Sequence, residues 1–161
     1  DPEILYAALL KWLPPAPGTG SIDRAVAPIE PQVADRLRAI REIPGLDAER
    51  GMQAVRGKEA TYLKLLGLLV EKHRHDADHL LAALRNGDLA EVGRLAHALK
   101  GAAGNLGALR VMELAESVNA GTKQGLSAAE MGDRCLELAA ALSQLIAGLR
   151  QVLVKPAERT P

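Results

Sequence analysis

Apolar residues recur every three to four positions along most of this chain, the spacing of a helix face, and no stretch alternates with the period of a strand. The longest run, Lys58 to Asn86, carries Tyr62, Leu65, Leu66, Leu69 and Val70, then Leu80, Leu81 and Leu84, and reads as one helical segment. The Asn86-Gly87-Asp88 triplet ends it, with Asp88 placed to cap the next helix. That next helix runs from Leu89 to about Asn105, another from Ala108 to Ala120 is closed by Gly121, and a last one extends from Ser127, as N-cap, to about Val154. On the last, Met131, Leu138, Leu142, Leu145, Leu149 and Val152 form one stripe. Shorter candidates at Val33 to Ile43 and Asp47 to Val55 flank a Pro44-Gly45 breaker. Four substantial helices joined by short loops predict an all-α fold, an antiparallel four-helix bundle over residues 32–154 with short extra N-terminal helices.

The first thirty residues read differently. Ile4, Leu5, Ala8, Leu9, Trp12 and Leu13 give residues 1–13 an amphipathic helix pattern, which stops at Pro14. Residues 14–31 hold five of the nine prolines together with Gly18 and Gly20, which is linker composition. Residues 155–161 are a tail. The chain starts at Asp1 and not at a methionine, so it reads as a piece of a longer protein.

Composition narrows the function classes. Lys plus Arg (20) balances Asp plus Glu (20), so no global charge argues for nucleic acid or direct contact with an anionic membrane, and recognition must be local. With no Phe, one Trp and two Tyr, the core is built from Leu, Ala, Val and Ile, a helix-bundle vocabulary. A single cysteine, Cys135, forms neither an internal disulfide nor a cysteine-rich zinc site, and its expected role is packing. That usage fits a reducing compartment, so the expected location is cytoplasmic. No uncharged run approaches the ~20 residues of a membrane span, and the N-terminus lacks the order of a signal peptide.

The stretch LAHALKGAAGNLGA, Leu95 to Ala108, sets a histidine among glycines inside a helical pattern. An interior glycine costs a helix about 1 kcal/mol relative to alanine, so Gly93, Gly101 and Gly104 call for a reason. On a wheel of about 100° per residue, Leu89, Val92, Leu95, Ala96, Leu99, Ala103 and Leu106 share one side. His97 points nearly opposite, with the three glycines within about 40° of it. This strip would let another macromolecule bring its backbone close to an imidazole whose free nitrogen is a nucleophile. Lys100, three residues on, can lean toward an anion near the ring, and Arg94, three before, is a second candidate. On the residues alone a plainer reading stays open, with Gly101 as a helix C-cap and His97 as an ordinary surface residue.

The same residues resemble the histidine-containing phosphotransfer (HPt) family. AHALKGAAGNLGA follows the family signature, with the acceptor histidine at His97, the lysine at Lys100, the glycine at Gly101 and the Leu-Gly pair at Leu106 and Gly107. The likeness extends over roughly residues 42–153, through IPGLDAERGMQAVRGKEATYLKLL before the signature and MELAESV after it. It implies a phosphorelay intermediate without kinase activity of its own, in which His97 takes a phosphoryl group from one receiver-domain aspartate and gives it to another. Lys100 would neutralise phosphate charge, and Gly93, Arg94, Gly101 and Gly104 would meet response-regulator receiver domains. The family's magnesium sits on the receiver, so no cofactor or metal is expected here, and the domain is expected to be monomeric. DPEILYAALLKWLPP is similar to the last helix of a receiver domain. That implies a hybrid sensor histidine kinase as parent, with the inner membrane as its expected anchorage and this domain as its C-terminal module.

Two rival readings belong to other classes. His75 and His79 stand at i, i+4 with His73, Asp76 and Asp78 adjacent, a spacing able to chelate zinc or nickel. A helical scaffold that never carries phosphate is the other.

Overall fold

The computed structural model describes residues 31–154; the amphipathic, linker and tail segments read at residues 1–30 and 155–161 lie outside them. Helices α1 (Pro31–Arg41) and α2 (Ala48–Ala54) precede α3 (Glu59–His73), α4 (Asp76–Arg85), α5 (Leu89–Asn105), α6 (Leu109–Lys123) and α7 (Ala128–Val154), and no strand occurs among the described residues. Short turns make successive helices antiparallel, and α4, α5, α6 and α7 pack in a closed ring, each against the next and α7 back on α4. Helix α3 lies on α7, while α1 rests on α3 and α7, so the short N-terminal helices cover one flank of the four-helix bundle.

The stripes read from the sequence are the ones buried. Val92, Leu95, Ala96, Leu99 and Ala103 of α5 and Met131, Cys135, Leu138, Leu142 and Leu149 of α7 are buried in one continuous core. Burying a leucine side chain is worth about 2 kcal/mol, so these stripes, more than helix propensity, hold the bundle. Both expected caps are made. Asp88 accepts the Glu91 N–H at 3.0 Å, and Ser127 forms a reciprocal box in which its own N–H donates to Glu130 at 2.8 Å. That contact holds the Glu130 carboxyl below its ordinary range.

Two expectations need correcting. The segment from Lys58 to Asn86 is two helices, broken at Arg74 and His75. There the buried His73 ring donates from Nδ1 to Asp76 Oδ2 at 2.7 Å, and Asp76 with Asp78 supplies the acidic first turn that favours a new helix start. Helix α6 runs past Gly121, which is buried against α7: a Cβ there would lie 2.5 Å from Met131 Sδ, so the glycine serves helix contact and not termination. The expectation about uncharged runs stands: α7 is long and apolar enough to cross a membrane by length and composition alone, but its longest uncharged run, Leu138 to Leu149, stays short of the ~20 residues of a span. In the bundle its apolar stripe is buried while Asp133, Glu137 and Arg150 are exposed.

Candidate functional site

The helix that carries His97 is fixed at both ends. Its start is held by the Asp88 cap. Its C-terminal turn is tied down by groups from distant sequence: the Tyr62 hydroxyl donates to the Leu106 carbonyl at 2.9 Å, and the Asp47 N–H donates to the Gly107 carbonyl at 2.7 Å. Gly107 has φ +79°, and a Cβ on it would collide with the Asp47 carbonyl. Gly51 is equally confined, since a Cβ there would run into the Leu106 carbonyl and the Tyr62 ring. Burial, with Asp47 nearby, pushes the Tyr62 phenol up to about 12, so the hydroxyl stays a donor across the ordinary pH range. Leu106 and Gly107 thus have a structural duty, anchoring the end of α5.

Between those anchors His97 stands on the solvent side of α5, exposed, its ring hydrogen-bonded to none of the described residues. Ala98 and Gly101 beside it are exposed too, and a Cβ on Gly101 would meet nothing within 4 Å. The helix continues through Gly101 to Asn105, so Gly101 is not a C-cap. Gly93 and Gly104 differ from it. Both are half-buried where α6 runs alongside α5; a Cβ at Gly93 would lie 2.9 Å from Thr122 Oγ1, and one at Gly104 3.1 Å from Met112 Sδ. The bare strip expected along all three glycines is therefore open at Gly101 and bordered by the chain's own α6 at the other two.

Neither candidate cation is idle. Lys100 Nζ pairs with Glu116 Oε1 at 2.8 Å, reaching from α5 to α6, and the lysine holds the Glu116 carboxyl below its ordinary range. Arg94 grips Glu91 on its own helix with both arms, Nε to Oε2 at 2.6 Å. The Glu91 contact could have been read from its i, i+3 spacing. Glu116, sixteen residues from Lys100, becomes a neighbour only once α6 folds back on α5.

The rival metal arrangement does not assemble. His75 and His79 rings lie 6.4 Å apart at 38°, Asp76 is occupied by His73, and among the described residues no three His, Cys, Asp or Glu side chains gather as a metal site. The chemistry available at His97 is that of an accessible imidazole nitrogen with a primary ammonium one helical turn away.

Comparison with known proteins bears on the fold that carries this helix. The family model described as "Hpt domain" matches residues 64–151, which include α4 to α6 and most of α7. Among solved structures, the HPT domain of an Hpt sensor hybrid histidine kinase from Shewanella superposes with a TM-score of 0.64 at 20% identity, covering 70% of this chain and 97% of that one. At that identity the likeness speaks for the fold. No curated protein matches the sequence.

Proposed function

The chain belongs to the Hpt domain family, whose members are phosphotransfer modules of two-component signalling, and from that premise we propose that His97 is its phosphoacceptor. The unprotonated ring nitrogen attacks the phosphorus of a receiver domain's aspartyl phosphate. An N–P bond forms as the P–O bond to the aspartate breaks, the carboxylate leaves with the electron pair, and the proton on the other ring nitrogen can stay in place. Running the step backwards onto a second receiver passes the group on.

The observation that carries this reading is the exposed, unbonded His97 ring beside the empty space at Gly101. Lys100 supplies positive charge next to the incoming phosphoryl group. Gly101 admits the receiver's loops, while Gly93, Arg94 and Gly104 form the rim they meet. On this reading the magnesium that assists transfer comes with the receiver, the domain needs no cofactor, works as a monomer in the cytoplasm, and belongs to a hybrid sensor kinase.

Incubation with a phosphorylated receiver tests it. The wild-type domain should gain an acid-labile, base-stable phosphoryl group and the His97→Gln variant none. A wild-type domain that stays unlabelled would leave the scaffold reading, and labelling that survives the substitution would move the acceptor elsewhere.

A further inference from the structure

Lys100 cannot serve a phosphoryl group on His97 and Glu116 equally, and this competition has a thermodynamic consequence. The lysine's ammonium is held 2.8 Å from Glu116 Oε1, with both side chains substantially exposed, so the pair opens and closes in water at little cost. The two residues come from different helices, so the pair is part of the α5–α6 seam beside the acceptor and not an accident of local spacing.

Resting on His97 as acceptor, we propose that Glu116 is a positioning residue that withholds Lys100 from the phosphoryl group and so keeps phospho-His97 ready to give its group away. A phosphoryl group brings close to two negative charges to the α5 face. To stabilise them Lys100 must leave Glu116, or stay and contribute less. Either way the phosphorylated state is raised relative to the unphosphorylated one, in which the ion pair is intact. An intermediate that must both receive and release a group is served by such levelling, since a tightly held phosphoryl group would not move on.

The quantity to measure is the transfer equilibrium between the domain and one receiver, the ratio of phosphorylated to free domain divided by the same ratio for the receiver, in dissociated species. A contact that only aids docking changes forward and reverse rates together and leaves this constant alone. Glu116→Gln, isosteric and neutral, should raise it about threefold at low salt, the scale of an exposed charge pair, with the gain shrinking as salt is added. Glu116→Asp should fall between wild type and Glu116→Gln. In a Lys100→Gln background the Glu116→Gln gain should drop below about 1.5-fold, because the carboxylate acts through the lysine.

An unchanged constant in Glu116→Gln would overturn the inference, as would a gain that persists in full without Lys100. Both outcomes presuppose a wild-type domain that becomes labelled at His97, so they stand apart from failure of the acceptor assignment, which would show as no label at all.

Discussion

The two ends of one stretch, Gly101 and Gly107, place the same residue type under opposite constraints. At Gly107 the backbone sits at φ +79° and a Cβ would collide with the Asp47 carbonyl, so the glycine is there because nothing larger fits. At Gly101 the helix is regular and a Cβ would touch nothing, so the fold itself makes no demand for glycine. A glycine that costs helix propensity and serves no internal contact is accounted for, on the proposed function, by the receiver that approaches the neighbouring His97. One end of the signature serves the fold, and the proposed function assigns the other to chemistry.

The sharpest test of that division is His97→Gln, which should lose all phosphoryl labelling while its thermal midpoint stays within about 2 °C of wild type, as expected for an exposed position. A large fall in midpoint would show that His97 also serves the fold. Gly107→Ala should do the reverse, destabilising the domain by about 3 kcal/mol through backbone strain and overpacking, a drop of roughly 10 °C by calorimetry. A midpoint equal to wild type would mean that the anchored turn bears no strain.

Tyr62→Phe should cost about 1–2 kcal/mol, because the buried Leu106 carbonyl loses its donor. Alkaline titration sharpens this case. The folded phenol ionises near 12 and the unfolded one near its ordinary 10.0, so its contribution is complete below pH 10 and disappears as pH rises from 10 through 12. Urea titrations over that window should show wild type losing on the order of 2–3 kcal/mol more than Tyr62→Phe; parallel curves would contradict a buried hydroxyl. Gly101→Ala should be neutral or slightly stabilising, by up to about 1 kcal/mol of helix propensity. Its transfer rate from a phosphorylated receiver should nevertheless fall, and a rate equal to wild type would remove the docking explanation for this glycine.

Much of this was legible in the chain because the governing interactions are local. The α5 and α7 stripes, the Asp88 and Ser127 caps and the outward direction of His97 follow from periodicity and neighbouring residues. What escaped depends on contacts made across the fold. The break at Arg74 turns on a buried His73 finding Asp76, Gly121 sits within a helix because α7 crosses it, and Gly93 and Gly104 lie where α6 approaches. Glu116 is the instructive omission. Nothing in the local pattern joins it to Lys100, yet it holds that lysine's ammonium at 2.8 Å across the α5–α6 seam.

Helix α7 touches α1, α3, α4 and α6, and it follows all of them in the chain. During synthesis the sides of the earlier helices that α7 covers therefore stay wet, and the bundle can shut only after the residues around Leu149 have cleared the exit tunnel. A nascent chain stalled short of that point would be a sticky, half-built object and a natural client for chaperones.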